Sequence, residues 1–328
     1  MDTSYGPRWW TVFFVILILV VGSGCAHRGY RIRGTSLDSL PVRKEIAEVP
    51  FYPQESNQCG PASLAMVLNW SGSQIPPREI ADEIYTSGRK GSLQPLMISA
   101  TRYHGRLPYV IRDFESLIQE VAVGHPVIVL QNLGLSWYPQ WHYAVLIGYD
   151  IEKQRVTLRS GEVFRKERSW SVFHRTWERA GKWGMVALPL TELPASADED
   201  SYLEAVVALE NVKKYRAASL AYETALKRWP ESLGALMGLG NCSYALGELA
   251  EAEEAFRRAV NIFQTCGDAY NNLAQVLGDQ RCYEEALNAA REAIDLGGPN
   301  IDIYCETLEE ITRLKEKDSG GKLPCSQR

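Results

Sequence analysis

The stretch from Gln54 to Leu68 reads QESNQCGPASLAMVL, and it decides the fold of the first half of the chain. Apolar residues recur with helical spacing after Cys59, and the pair Gly60-Pro61 opens this pattern because proline is tolerated in a first helical turn. The sequence therefore predicts a helix that begins at Cys59. A thiol at a helix N-terminus lies beside unpaired backbone N–H groups, which stabilise its thiolate form.

A second stretch, from Trp141 to Asp150, reads WHYAVLIGYD and predicts a strand with His142 at its start. Helical patterns precede strand patterns between Val49 and Leu188, which predicts an α+β domain with an antiparallel sheet. A histidine beside a thiol can act as general base and then as general acid. The amide of the upstream Gln54 could donate to the oxyanion of an acyl-transfer intermediate.

Together, the two stretches resemble the bacteriocin-processing peptidase family in its stand-alone form. The resemblance implies an α+β papain-like cysteine peptidase domain over residues 44–190 that cleaves a peptide or protein substrate. It further implies that Cys59 is the nucleophile, His142 the general base and acid, and Gln54 the oxyanion donor. Four residues separate Gln54 from Cys59, where the family more often has five. Gln58 is therefore an alternative donor.

The residue that orients the histidine is open. The family usually has an aspartate on the strand that follows the histidine strand. Pairing of Tyr143–Tyr149 with Arg155–Leu158 brings residues 159–161 opposite His142, and this tripeptide contains no aspartate. Ser160 is the candidate in this tripeptide, because its hydroxyl could accept a weaker hydrogen bond from the imidazole.

The last third of the chain is repetitive, with small residues recurring every 34 positions. Two such series are Ala218, Ala252, Ala286 and Ala225, Ala259, Ala293. The period and the small residues resemble the tetratricopeptide repeat, in which paired helices pack closely. Residues 199–317 are thus expected to form an all-α solenoid of three repeats and a capping helix. We expect this solenoid to bind a protein partner, with residues 191–198 as the linker and 318–328 as a tail.

The N-terminus carries a short apolar run from Trp9 to Val21 that stops at Gly22-Ser23-Gly24-Cys25. A membrane-spanning helix needs about 20 apolar residues, so the run indicates an export signal. The residues before Cys25 resemble a bacterial lipobox, which implies that residues 1–24 are removed and that Cys25 carries lipid. Residues 25–43 would then be a tether. Ala26 favours the outer membrane, facing the periplasm; an uncleaved anchor and a secreted form are the alternatives.

Composition excludes several classes of protein. Lys and Arg total 35 against 40 Asp and Glu, a formal net charge of −5, so nothing indicates a nucleic-acid partner. Seven cysteines are present, and the five that follow Cys25 and Cys59 cannot be paired from the sequence. Their spacing includes no Cys-x-x-Cys and no His-rich motif, so we expect neither a metal nor another cofactor.

Two functional hypotheses follow. In the first, the chain is a membrane-anchored cysteine endopeptidase whose repeats recruit a substrate or partner. In the second, it is an adaptor or assembly lipoprotein whose papain-like domain binds without catalysis. The missing aspartate favours the second hypothesis, whereas the presence of Gln54, Cys59 and His142 favours the first. Another acyl transfer, such as cleavage of peptidoglycan peptides, is also open.

The lipobox resemblance gives a first prediction. Replacement of the acceptor thiol, Cys25→Ser, should abolish lipid attachment and either release the chain from membranes or block its processing. Membrane fractionation and intact mass of the mature chain measure both effects. Unchanged fractionation and mass in this variant would contradict the prediction.

Overall fold

The structure is a computed structural model that describes residues 37–54, 58–86, 88 and 91–318. Within this part, the two predicted domains belong to one compact unit. The predicted signal peptide, the lipid site Cys25, most of the predicted tether and residues 319–328 lie outside the described residues.

The first domain contains nine strands and five helices among its described residues. The strands are β1 (Arg43–Glu45), β2 (Tyr85–Thr86), β3 (Gly91–Ser92), β4 (Arg106–Ile111), β5 (Val127–Asn132), β6 (Trp141–Asp150), β7 (Arg155–Ser160), β8 (Val163–Ser169) and β9 (Gly184–Pro189). The helices are α1 (Cys59–Trp70), α2 (Pro77–Ile84), α3 (Gln94–Tyr103), α4 (Phe114–Val123) and α5 (Trp170–Glu178).

Seven of these strands form one antiparallel sheet in the order β4-β9-β5-β6-β7-β8, with β1 paired to the far end of β6. Strand β6 is the longest, and its N-terminal half pairs with β5 while its C-terminal half pairs with β1 and β7. The first residues of β6 therefore lie between the end of β5 and the end of β7. The two-stranded hairpin β2–β3 is separate from this sheet.

Helix α1 is the core helix of the domain. Nine of its twelve residues, Gly60 to Leu68, are buried, and it packs mainly on β6 and on α2. This burial explains why the apolar residues after Cys59 leave no polar face, as expected for a helix enclosed on all sides. The α+β class with an antiparallel sheet that the sequence predicts is confirmed.

The structure adds elements that the sequence patterns did not predict. Strands β4 and β8 and the short strand β1 are examples. The domain also begins before residue 44, because Leu37 is buried in a short 3-10 turn and Arg43 already pairs with Asp150 of β6. The C-terminal part of the expected tether is therefore packed against the domain.

The remaining helices form a run of antiparallel pairs. They are α6 (Glu199–Glu210), α7 (Tyr215–Arg228), α8 (Leu233–Ala245), α9 (Leu249–Ile262), α10 (Gly267–Asp279), α11 (Tyr283–Leu296) and α12 (Ile301–Lys317). The turn inside each pair contains one residue with positive φ: Lys213 (φ 58), Gly247 (φ 76) and Arg281 (φ 64). These positions are 34 residues apart, so the repeat extends to the backbone conformation.

The linker between the domains is held in place. The buried carboxylate of Glu120 in α4 accepts hydrogen bonds from the backbone N–H (2.8 Å) and the hydroxyl (2.6 Å) of Ser196. The same carboxylate bonds the ring of His125 at 2.7 Å. On the repeat side, the Lys214 ammonium donates to the Arg102 carbonyl at 2.9 Å. The repeats are thereby docked on the first domain beside β4.

Among the described residues, no helix has the length and apolar composition needed to cross a bilayer. Cys59, Cys242, Cys266 and Cys305 are free thiols, whereas Cys282 is disulfide-bonded.

The repeated positive φ gives a prediction about stability. Residues other than glycine are strained in this positive-φ backbone conformation by roughly 1–2 kcal/mol. Lys213→Gly should therefore raise the free energy of unfolding by up to about 1 kcal/mol, once the added freedom of the unfolded chain is counted. Gly247→Ala should lower it by about 1 kcal/mol, although open space surrounds its Cβ position. Denaturant unfolding of the full chain measures both changes, and equal stability of all three proteins would contradict the prediction.

Candidate active site

Helix α1 places Cys59 at its first residue. The preceding residue, Gln58, makes no side-chain cap, so the first N–H groups of the helix keep no side-chain acceptor there. Gly60 lies so close to β3 that a Cβ at this position would come within 2.6 Å of the Ser92 hydroxyl. This close approach requires glycine and fixes the start of the helix. The Cys59 thiol contacts the backbone N–H of Tyr143 in β6.

The thiol of Cys59 is protonated in this environment. Burial raises its pKa, and the backbone N–H groups of Tyr143, Gly60 and Cys59 itself offset that rise only in part. The sequence analysis expected the opposite shift from the helix N-terminus. That expectation is wrong because desolvation of the charged thiolate outweighs the stabilisation by these N–H groups.

His142 is one residue before Tyr143 on β6 and is brought against Ser160. Its Nε2 atom lies 2.8 Å from the Ser160 Oγ at the end of β7. When Nε2–H donates this bond, Nδ1 is the basic nitrogen of the ring. Burial and, to a smaller extent, the positive charge of Lys166 together lower the pKa of His142 to about 4. The imidazole is therefore neutral at pH 7.

Cys59 thus lies at the start of α1 and His142 near the start of β6, both in their uncharged forms. No hydrogen bond joins the thiol to the imidazole within the described part of the chain, where both residues lie. Ser160 is buried and occupies the position that the sequence analysis singled out in place of an aspartate. A hydroxyl can orient the ring, but it carries no charge that would stabilise an imidazolium. The low pKa of His142 is consistent with this substitution.

Gln54, the expected oxyanion donor, is held by hydrogen bonds to three elements. Its side chain is buried, and its Nε2 donates to the Ser63 Oγ at 3.1 Å and to the Tyr143 carbonyl at 3.4 Å. Its Oε1 accepts from the Gly161 N–H at 2.8 Å. Both amide hydrogens therefore already have acceptors, which leaves none directed at an oxyanion. In this structure, Gln54 ties α1, β6 and the β7–β8 turn together.

Gln58, the alternative oxyanion donor, has a side-chain amide that caps no helix N–H. It directly precedes Cys59, is partly exposed, and its side chain forms no hydrogen bond within the described residues. The backbone N–H of Cys59, at the open end of the helix, is a second donor of the type that acyl transfer requires.

One charged neighbour of the site was not predicted. Lys166 lies on β8 opposite Leu158 of β7, and its charge acts on His142. The sequence analysis did not predict β8, because its residues VFRKERS alternate poorly and are largely exposed. A further strand that pairs with β7 after the turn at Gly161 was the signal from which the position of Lys166 could have been predicted. Within the described residues, no group of three or more His, Cys, Asp or Glu side chains could hold a metal ion.

Comparison with known families identifies two parts of the chain. Residues 46–185 match the model of the Peptidase_C39 like family, and residues 202–269 match that of the tetratricopeptide repeat. The chain contains a C39-like domain followed by tetratricopeptide repeats. No curated protein matches the chain.

Solved structures resemble the two parts separately. A C39-like peptidase from Bacillus anthracis is 21% identical, with a TM-score of 0.38; the match covers 44% of this chain and 97% of that one. A double glycine motif protease from an AMS/PCAT transporter, solved with its leader peptide, is 24% identical with a TM-score of 0.37, covering 44% and 94%. The Sgt2 tetratricopeptide domain of Aspergillus fumigatus is 23% identical with a TM-score of 0.35, covering 39% and 85%.

The electrostatics of the C39-like domain give a prediction about thiol reactivity. Because burial raises the pKa of Cys59, iodoacetamide should alkylate Cys59 more slowly than the exposed Cys305 at pH 7. The rate at Cys59 should still be rising at pH 9. Peptide mass spectrometry after timed alkylation follows each cysteine within the same sample. Faster alkylation of Cys59 than of Cys305 at pH 6 would show an activated thiolate and contradict the prediction.

Proposed function

We propose that the chain is a cysteine endopeptidase that works through a neutral thiol and a neutral imidazole. The observation that carries the proposal is the 2.8 Å contact between His142 Nε2 and Ser160 Oγ. This contact fixes the ring and leaves Nδ1 as the base on the strand against which the Cys59 thiol packs. The C39-like domain supports a peptidase as the class of enzyme.

The proposed reaction follows from these positions. As the Cys59 sulfur attacks the peptide carbonyl carbon, its proton passes to Nδ1 of His142. The negative charge on the carbonyl oxygen is stabilised by the N–H of Cys59 and the amide of Gln58. The imidazolium then protonates the leaving amine, and the C–N bond breaks to leave an acyl-enzyme. A water molecule, deprotonated by the same nitrogen, hydrolyses the thioester and restores the thiol.

The second candidate is an adaptor whose C39-like domain binds without cleaving. Two observations favour it: burial raises the pKa of the nucleophile, and a hydroxyl replaces the carboxylate beside His142. In this alternative, the repeats provide the biological activity and the cleft of the C39-like domain holds an uncleaved segment.

The proposal also covers location and partners. Lipid on Cys25 would anchor the chain in the bacterial envelope, on the periplasmic face of the outer membrane, as the lipobox resemblance suggests. The tetratricopeptide repeats would bind a protein partner or the substrate itself, since stacked repeats offer extended binding surfaces.

Variants of the full chain test the proposed chemistry. Cys59→Ala and His142→Ala should each abolish cleavage of an unfolded fluorogenic substrate such as labelled casein. The double variant should lose no more than either single one, because residues that act as a unit are non-additive. Gln58→Ala should lower kcat by roughly 10²–10³-fold, the usual loss for one oxyanion donor. Cys305→Ala, an exposed thiol in the repeats, is the matched control and should retain full activity.

Two further variants separate the candidates. Ser160→Asp places a carboxylate beside His142, which should raise the pKa of the imidazole from about 4 and move the acid limb of the rate to higher pH. Gln54→Ala should lower the midpoint of unfolding, because it removes ties between three elements. Full activity of Cys59→Ala would exclude the peptidase. A Gln54→Ala protein that is stable but loses more kcat than Gln58→Ala would return the oxyanion role to Gln54.

A further inference from the structure

The segment Leu133–Trp141, here termed the aromatic loop, joins β5 to the start of β6 and exposes its large apolar side chains. Trp137 is 79% exposed, Tyr138 66% and Trp141 57%. Leu133 and Leu135 are also exposed. A contiguous apolar surface of this kind on a folded domain usually marks a binding site.

Hydrogen bonds hold the aromatic loop in one conformation. The Asn132 Oδ1 accepts from the backbone N–H groups of Gly134 and Gln140, both at 3.0 Å. Its Nδ2 donates to the Leu135 carbonyl at 3.3 Å. Leu135 and Tyr138 exchange two backbone hydrogen bonds, at 3.1 and 3.2 Å. The framework therefore presents the apolar side chains outward in advance of any contact, which lowers the entropy cost of binding.

The aromatic loop adjoins the proposed catalytic residues. Trp141 directly precedes His142, and it pairs with Asn132 across β5 and β6. Phe164, the second residue of β8, is also exposed. The Arg159 guanidinium lies 3.7 Å from the centre of the Phe164 ring and holds it in place. The aromatic loop thus ends one residue before His142.

The absence of charge in the aromatic loop distinguishes between a peptide and a membrane as its binding partner. The aromatic loop reads LGLSWYPQW and contains no Lys, Arg, Asp or Glu. Segments that bind an anionic bilayer surface combine apolar residues with Lys and Arg, which attract the headgroups. The loop lacks that component, and its continuity with His142 places it where a bound peptide would pass.

We propose that the aromatic loop is a specificity subsite that binds large aliphatic or aromatic side chains of an extended peptide beside the bond to be cleaved. This inference rests on the proposed function for cleavage, but binding can be measured without it. An aromatic side chain that buries about half of its 150–250 Å² on binding contributes enough to change affinity about tenfold or more.

Peptide binding to the full-length Cys59→Ala chain tests the subsite independently of catalysis. The probes are two fluorescein-labelled decapeptides of equal charge, one rich in Leu and Phe and one with Ser and Gln in their place. Fluorescence anisotropy should show at least about tenfold tighter binding of the apolar peptide. Trp137→Ala combined with Tyr138→Ala should remove this preference. Tyr103→Ala, a 70% exposed tyrosine at the end of α3, is the matched control and should keep it.

Cleavage by the chain with intact Cys59 provides the second readout. The loop double variant should raise KM for the apolar peptide while leaving kcat and Cys59 alkylation unchanged, as expected when ground-state binding is lost. Binding without cleavage supports the subsite and excludes the peptidase. Equal binding of both peptides, or a preference that survives the double variant, overturns the subsite. Co-sedimentation with phosphatidylethanolamine–phosphatidylglycerol vesicles tests a membrane contact. If the double variant loses this co-sedimentation but still binds the peptide, the subsite is overturned in favour of a membrane contact.

Discussion

The packing of the buried helix α1 on strand β6 is the constraint on which the rest of the site depends. Gly60 lets the start of α1 approach Ser92 of β3 closely, and Gln54 ties α1 and β6 to the β7–β8 turn. This arrangement holds the Cys59 thiol against the backbone of Tyr143, one residue from His142. This packing also has an electrostatic consequence, because the same burial removes water from the Cys59 sulfur and from the His142 imidazole. Both groups are therefore held in their uncharged forms.

The charge of the His142 imidazole also depends on Ser160, the residue that lies beside it. A carboxylate at that position would favour the imidazolium and, through it, the thiolate. The Ser160 hydroxyl orients the ring without either effect. Lys166 acts in the same direction as burial, because its positive charge disfavours a second cation. In the proposed peptidase, the thiol proton would therefore be transferred during attack, because no ion pair exists beforehand. Substrate binding, which excludes the remaining water and positions the carbonyl, then carries a larger share of any rate acceleration.

Sequence reasoning was most reliable where the chain repeats or where a local rule dominates. The 34-residue period located the helical pairs, and the hairpin register of β6 and β7 brought Ser160 to His142. The sequence was less informative where tertiary contacts decide the outcome. The donors of Gln54 are used by Ser63 and by Tyr143, which is 89 residues away, and no spacing rule reports such a contact. The raised pKa of the Cys59 thiol depends on its burial between several helices and strands. Strand β4, with Pro108 in its interior, and the exposed charged strand β8 each lack the pattern typical of a strand.

The order of the sheet relates the repeats to the site. The repeats dock beside β4, at one edge of the sheet, whereas His142 is on β6, three strand spacings away. Adjacent strands are about 4.8 Å apart, so the sheet separates β4 from β6 by about 14 Å. An extended peptide covers that distance with about four or five residues, at roughly 3.4 Å each. In the proposed peptidase, a substrate segment held at the near end of the repeats would therefore need a short unfolded stretch of about this length to reach His142 on β6.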